Sequence, residues 1–518
     1  MRRTTAFAGV VLVLAALVSV AWRYLWPIAT RALDSRRVAQ TSDATVSTTI
    51  RIGGDGYLGY WFLVAPDLRR EVARRGIGIA FEDDGGAYAD RVAKFAAGGY
   101  DAIVLPINSY LQHGESHRFP GVIVLAIAES RGADGIVAFA DKVPGGKVTE
   151  LDDAALKIVY TRESPSSFLL DLTIADFELS NLAGSRTWRA EVNGVGDVVK
   201  RAQRHEGDAF VLWEPELSQA LHDIPELRYV WGSDKFVGYI KDVLVVRRDV
   251  LQSREADVST LLSTYFRVMD TYAADRPRML ADMAQSAGLR PQIAESILAK
   301  IDWYDAYENA SQQFGVQTGV NLPVTEGVVR TIIACTDVLR RTGAVKRDPL
   351  GGDPYQIVNS SLVKRVIDEM PRAVGQRGPA ATGFAPLDAE AWRGLHEVGM
   401  LRVEPITFQA GTGLLDDAGK GQVDRIAELL VNNYPAYRIA VRGHTGAGDE
   451  AANLALSQTR ADVVVQYLLA VHGVPAERMH AEGKGASQPP PRRAGESERA
   501  YGYRLPRVEF VLLQGSAL

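Results

Sequence analysis

The sequence predicts an α/β protein of two folded units preceded by one apolar helix, and three observations carry that reading. From Thr48 to about Val246, short β-branched runs alternate with helical patterns, as in an α/β fold with mostly parallel, buried strands. A stretch at 371–387, with Pro371, Gly375, Gly378, Pro379, Gly383 and Pro386, has the composition of a linker. Ahead of everything, the uncharged Val/Leu/Ala-rich run Thr4–Trp22 follows a basic start. With 518 residues the chain has room for about two to four domains.

The strand-like runs are Thr48–Ile52, Ile77–Phe81, Ala102–Leu105, Val122–Ile127, Ile136–Phe139, Lys157–Tyr160, Ala209–Trp213 and Val243–Val246. A mainly helical section follows, where Val258, Leu261, Leu262, Tyr265 and Met269 recur at the spacing of one helix face. Beyond the linker, Leu401–Phe408 reads as a strand and Val423, Ile426, Ala427 and Leu430 as a helical stripe. Tyr437–Arg442 alternates as a second strand, and a second helix runs from near Asn453 to Val471 and stops at Gly473. Val508, Phe510 and Leu512 alternate in a last strand. The order β-α-β-α-β describes a small sandwich with helices on one face. The expected units are 1–37, a signal or anchor with its flank; 38–370, the larger domain; 371–395, the linker; and 396–518, the smaller domain.

Composition excludes much chemistry. Lys+Arg total 58 against Asp+Glu 63, a net charge of −5, which gives no electrostatic footprint for nucleic acid. Hydrophobic residues at 47% and charged ones at 23% argue against both bulk disorder and a multi-span membrane protein. One cysteine, Cys335, rules out an internal disulfide framework and any multi-thiolate metal site. The eight histidines include no HExxH pair, and His113, His117, His205 and His222 are scattered. There is no GxSxG and no Ser/His/Asp grouping at a supporting spacing. No catalytic residue, metal or cofactor is expected.

Trp22, Tyr24 and Trp26 follow the apolar run like an interfacial aromatic belt, and the run approaches the roughly twenty residues that cross a bilayer. An uncleaved anchor through residues 4–22 is favoured over a cleaved signal. Ser19-Val20-Ala21 offers a small-x-small site, but bulky Trp22 and Arg23 follow it. Basic residues on both flanks leave the orientation open, and no cysteine follows the run that would make a lipoprotein signal.

In the larger domain, Gly54-Asp55-Gly56-Tyr57-Leu58-Gly59 matches GxGxxG between a predicted strand and a helix. It reads as a dinucleotide fingerprint with Asp83 and Asp84 near a ribose, as a plain Gly-rich turn, or as a ligand-facing loop. Ser164-Pro165-Ser166-Ser167 follows a strand and opens an apolar helix. Ser164 suits the N-cap and Pro165 the first helical position, so this is either an ordinary capped helix or one whose free N–H groups and hydroxyls meet an anion. Pro106-Ile107-Asn108-Ser109-Tyr110 and Trp213-Glu214-Pro215 end two more strands with polar and aromatic groups.

With GGDGYLGYW at 53–61, GGYDAIVLPINSY at 98–110, ESRGADGIVAF at 129–139, TRESPSSF at 161–168 and DAFVLWEP at 208–215, the region from about 45 to 370 resembles the substrate-binding proteins of ABC importers of the nitrate/sulfonate/taurine type. That resemblance implies a bilobal periplasmic-binding-protein-like fold that closes on a small, anionic solute by a hinge. It implies cleft residues Tyr57, Tyr60, Trp61, Asn108, Ser109, Ser130, Ser166, Ser167, Trp213 and Glu214. Glu214 runs against an anion unless it bonds an amine or an arginine.

The second unit carries Gly443-His444-Thr445, Asn453, Leu456-Ser457, Arg460-Ala461, Val464, Tyr467-Leu468, Gly473-Val474, Arg478, Gly483, Gly485 and Pro489 in one register. Across about 397–515 it resembles the OmpA-like peptidoglycan-associating domain. In that family a loop aspartate and a helix arginine grip the free end of a diaminopimelate side chain. Arg460 holds the arginine position, Gly446 stands where the aspartate is expected, and Leu505-Pro506-Arg507 replaces the usual Asn-Arg-Arg. The resemblance thus implies peptidoglycan binding through Arg460, Asp449 and Asn453, with Asp449 as the substitute carboxylate.

Together these readings describe a periplasmic solute-binding protein of ABC-transport type, anchored in the bacterial inner membrane, associated with peptidoglycan, with an ABC permease as a possible partner. The alternatives are an envelope scaffold or sensor whose lobes recognise a protein and, more remotely, a dinucleotide-binding enzyme.

Overall fold

Four strands, β1 (Thr48–Gly54), β2 (Ile77–Asp83), β3 (Ala102–Pro106) and β4 (Gly121–Ser130), begin one sheet before the chain leaves it. Five more, β5 (Asp134–Phe139), β6 (Ile158–Thr161), β7 (Arg189–Val192), β8 (Ala209–Trp213) and β9 (Leu227–Gly232), build a second sheet. The chain then returns to the first sheet with β10 (Lys241–Arg247) and β11 (Ile301–Trp303). The first sheet runs β11-β4-β10-β3-β1-β2 and the second β7-β6-β8-β5-β9. Each sheet is the centre of a lobe, and the lobes are joined where β4 passes into β5 and where β9 passes back to β10. This computed structural model describes residues 46–177, 179–318, 324–370, 383–409, 412–493 and 495–515. The apolar run at 4–22 and residues 371–382 of the linker lie outside them; among the described residues no helix is long and apolar enough to cross a membrane.

The strands are less parallel than the sequence predicts. β1 pairs parallel with β2 and β3, and β6 with β7 and β8. β10 runs antiparallel to β3 and β4, β11 to β4, and β5 to β8 and β9. The cause is the double crossing: strands that enter a lobe from the other one arrive against the local βαβ direction, which no local sequence pattern encodes.

The helices that matter to the site follow strands. Helix α1 (Ile107–Gly114) leaves the end of β3, and α2 (Pro165–Asp176) leaves the end of β6. The two pack on each other, and both pack on α4 (Gly327–Arg341). Helix α3 (Arg248–Ala274) buries Val258, Leu261, Leu262 and Tyr265, the predicted stripe, against the first lobe.

The C-terminal unit has a sheet ordered β12-β15-β13-β14, from β12 (His396–Leu401), β13 (Arg438–His444), β14 (Met479–Gly483) and β15 (Arg507–Gln514). Helices α5 (Asp417–Asn432) and α6 (Glu450–His472) bury Val423, Ile426, Ala427 and Leu430, and Ser457, Ala461, Val464 and Leu468. Gly473 ends α6 with a positive φ of 63°, the conformation glycine adopts without steric cost. Two expectations are corrected. The first strand lies at His396–Leu401 rather than Leu401–Phe408, of which Phe408 makes only an isolated bridge to Leu415. A fourth strand, β14, also joins the sheet; its half-exposed residues hid it from a hydrophobic reading.

This unit docks on the second lobe. The Arg402 amide donates to the Asp176 carbonyl at 2.7 Å, and the Val237 amide to the Asn433 carbonyl at 2.8 Å. The Asn433 side-chain amide returns a bond to the Val237 carbonyl at 2.9 Å.

Candidate functional site

A chamber lies at the base of the crevice, where the lobes meet. Tyr57, Tyr60, Tyr88, Pro106, Ile240 and Asp242 line it from the first lobe and its return strand; Asp134, Pro165 and Trp213 line it from the second. Strand register accounts for the convergence. Asp242 lies opposite Pro106 in the first sheet, and Asp134 opposite Trp213 in the second. Both aspartates therefore sit at strand ends that face the gap between lobes, where ligands of open α/β sheets bind.

At or beside this chamber lie buried polar atoms without hydrogen-bond partners: Tyr57 Oη, both amide atoms of Asn108, Ser109 Oγ and Ser166 Oγ; Thr161 Oγ1, at the end of β6, is another. Asn108 and Ser109 stand in the first turn of α1 and Ser166 in the first turn of α2. A buried polar group left unmade costs on the order of 1–3 kcal/mol, so several together mark a place that a solute or water completes.

Of the residues singled out in the sequence, Tyr57, Tyr60 and Trp213 line the chamber. Asn108, Ser109 and Ser166 flank it, next to lining residues or one turn beyond them. Four others do not line it: Trp61, Ser167 and Glu214 are engaged elsewhere, and Ser130 bonds Ser233 beside the chamber's Asp134. Trp61 donates its indole N–H to Ser286 Oγ at 2.7 Å and packs edge-on against Tyr272, a core position. Ser167 Oγ closes the cap of α2, donating to the Ser164 carbonyl at 2.8 Å and accepting from its amide at 3.0 Å. Ser130 Oγ lies 2.6 Å from Ser233 Oγ and ties the two hinge passages together. Glu214 is fully buried and bonds Ser218 Oγ at 2.7 Å and the Lys300 ammonium. That contact is the cation that sequence reasoning required of it, but the cation comes from the first lobe.

Asp134, Asp242 and Tyr88 were missed. The signal was available: Asp134 and the Lys241-Asp242 pair stand at the head of strands that are buried but for Arg247, where a charged residue needs a reason. Asp242 accepts the Tyr60 hydroxyl at 2.5 Å. No lysine, arginine or histidine nitrogen comes within 4.0 Å of Asp134 or Asp242 among the described residues. Burial, with the charges of Glu214 and Asp55, pushes the Asp134 carboxyl up to about 7, against the Ser130 hydroxyl. Burial also raises Asp242 well above the usual range, against its bond from Tyr60 and with the charges of Asp134 and Asp55 adding to the rise.

The start of α2 does not present the free amides that the sequence predicts for an anion. The Ser164 cap consumes the start of α2, since its Oγ accepts from the Ser166 amide at 3.2 Å. The chamber itself presents carboxylates. The dinucleotide reading fails on geometry as well. Leu58–Tyr60 forms one 3-10 turn rather than the start of a long helix, so no helix end meets a pyrophosphate. Asp55 and Asp84 bind the buried Arg91 guanidinium, leaving Asp84 no free role at a ribose.

In the C-terminal unit, Arg460 lies over the Phe408 ring, 4.9 Å from its centre, with Nε buried and unpartnered. Burial lowers its pKa, and among the described residues it has no ion pair. Asn453 donates to the Gly446 carbonyl at 3.1 Å and fixes the loop ahead of α6. Asp449 caps that helix, accepting the Ala452 amide at 2.8 Å. Eleven positions separate Asp449 from Arg460 on this helix, about 16 Å of rise. Asp449 therefore does not replace the absent aspartate beside Arg460. Residues 407–502 match the OmpA family.

The rest of the chain has its own likenesses. It is similar to the alkanesulfonate-binding protein SsuA from Xanthomonas axonopodis pv. citri, with 14% identity over 63% of this chain and 99% of that one, at a TM-score of 0.45. It is also similar to the periplasmic aliphatic sulphonate binding protein SsuA from Escherichia coli, at 16% identity, 64% and 94% coverage and a TM-score of 0.44. A third likeness is to the periplasmic nitrate-binding protein NrtA from Synechocystis PCC 6803, at 12%, 64% and 91%, with a TM-score of 0.48. The chain thus joins a two-lobed α/β part to an OmpA-family unit.

Proposed function

We propose that the protein is a cell-envelope solute receptor of ABC-transport type, which closes its lobes on a small solute and is held at the cell wall by its OmpA-family unit. The observation that carries this reading is the group of buried, unpartnered polar atoms on Tyr57, Asn108, Ser109 and Ser166 at or beside the interlobe chamber. A plain scaffold has no use for them. In this reading the apolar run at 4–22 is the inner-membrane tether and both folded units work in the periplasm, within reach of a permease.

A melting panel on the full chain tests it, because a ligand that binds only the native state raises stability by mass action. At least one small solute raises the melting temperature, and Asn108→Ala or Ser166→Ala reduces the rise. A panel of anions, amines, amino acids and sugars that shifts nothing refutes the receptor.

One observation favours a sensor as the second reading. Helix α2 carries Ser166 at the chamber and Asp176 at the contact with the OmpA-family unit. Lobe closure therefore moves a helix that is bonded to the wall-binding part.

A further inference from the structure

We propose that the interlobe chamber is an ammonium site: Asp134 and Asp242, walled by Tyr57, Tyr60, Tyr88 and Trp213, select a small solute bearing an organic cation. The proposal rests on the receptor reading and names its ligand class.

Two buried acids share the chamber with no basic partner beside them among the described residues. Asp134 is 4% exposed and Asp242 2% exposed. The cations nearest to them in the fold are occupied. Arg91 binds Asp55, Asp84 and the Val104 carbonyl. Lys300 binds Glu214. Lys241, although next to Asp242 in sequence, projects from the opposite face of β10 as strand alternation requires, and bonds Gln313 instead. Two buried carboxyls that act on each other cannot both ionise without cost, and a cation placed between them stabilises the ionised pair.

The walls then decide which cation. Aromatic faces attract an ammonium group through the ring quadrupole, most strongly when water is excluded. They give a metal ion no ligand. Among the described residues no three His, Cys, Asp or Glu side chains gather as a metal site, so an organic cation fits and a hard metal ion does not. Independently of the acids, Tyr57 Oη ends at this chamber with no partner. Ser166, which is fully buried, follows lining Pro165 and leaves its hydroxyl unbonded. These groups suit the polar remainder of such a molecule. The chamber as it stands offers about 20 Å³ to a water-sized sphere, room for about one water molecule, so a solute is small and is admitted only as the lobes part.

Titration calorimetry on the full chain tests the proposal with choline and ethanolamine as cationic probes, and nitrate and methanesulfonate as anionic ones. A cationic probe binds and the anions do not. Asp134→Asn and Asp242→Asn each weaken that binding at least tenfold while the unliganded protein melts no lower than the parent. Trp213→Leu, which leaves both acids in place, also weakens it and guards against an acid variant that fails to fold. Binding of nitrate or methanesulfonate without either amine overturns the ammonium site and leaves the receptor standing. Undiminished amine binding by both Asn variants overturns it too. Failure of all four probes overturns it as well, and failure of the wider melting panel removes the receptor with it.

Discussion

The hydroxyl of Tyr434, in the OmpA-family unit, donates to Asp176 Oδ2 at 2.8 Å across the contact with the second lobe. The same carboxylate accepts Tyr239 Oη at 3.0 Å and pairs with Arg341 at 2.8 Å. Three elements thus meet on one buried acid at the end of α2. A hydrogen bond to a charged group contributes about 1.5–3 kcal/mol. Tyr434→Phe is expected to lose that amount from the docking contact and Asp176→Ala more, because Tyr434, Tyr239 and Arg341 all lose their bond to it. Limited proteolysis near residues 383–409 reads the loosening as faster cleavage.

A second bond joins the lobes themselves. Lys300, beside β11 of the first lobe, pairs with the fully buried Glu214 at the end of β8. Lys300→Met leaves Glu214 buried without a cation and is expected to lower stability by about 3 kcal/mol, since removing one partner of a buried pair is strongly destabilising. Urea denaturation of the full chain measures it.

The chamber acids set a pH dependence. Asp134 is raised to about 7 from an unfolded value near 3.9. A carboxyl raised on folding stabilises the native state while it is protonated. Its contribution is full below about pH 4 and is lost as pH rises through about 7. Asp242 is shifted the same way and titrates jointly with it; Asp55, Glu214 and Arg91 are the other charges acting on the pair. The unliganded melting temperature is therefore expected to fall between pH 5 and 8, with a flatter profile in Asp134→Asn. Binding of an amine is expected to strengthen over the same interval.

At the wall, Arg460 has no carboxylate beside it, and Gly446 stands in the loop. Gly446 leaves open space around the position of a Cβ, so Gly446→Asp fits without displacing a neighbour. It is expected to raise co-sedimentation of the full chain with diaminopimelate-containing peptidoglycan by ten- to a hundredfold in affinity, about 1.5–3 kcal/mol. Arg460→Ala is expected to abolish it. A variant that folds and sediments like the parent removes Arg460 from the wall contact.

How much of this was legible in the sequence depends on what each residue's signal encodes. Tyr57, Tyr60 and Trp213 stand out in the sequence and line the chamber, because aromatics at the carboxyl ends of strands are local features. Trp61 and Glu214 were misplaced for the same reason: a strand end gives position along the chain but not which way a side chain turns. Trp61 turned into the core, and Glu214 met a lysine 86 residues away. Asp134 and Asp242 escaped because their meaning is non-local and requires knowing that no cation comes near. β7 and β9, reading RAEV and LRYVWG, are too short or too mixed for a hydrophobic period to stand out. The OmpA-family register was legible from many small coincidences, whereas the remoteness of Asp449 from Arg460 needed the helix start to be located.

The central claim is that one solute is held by both lobes at once. Hydrogen–deuterium exchange of the full chain, with and without a solute that raises its melting temperature, tests it most directly. The account predicts joint protection around residues 57–60, 106–109 and 240–242 of the first lobe and its return strand, and around 134, 164–167 and 213 of the second. Protection confined to a single lobe, or found instead in the contact between residues 402–433 and the second lobe, would contradict it.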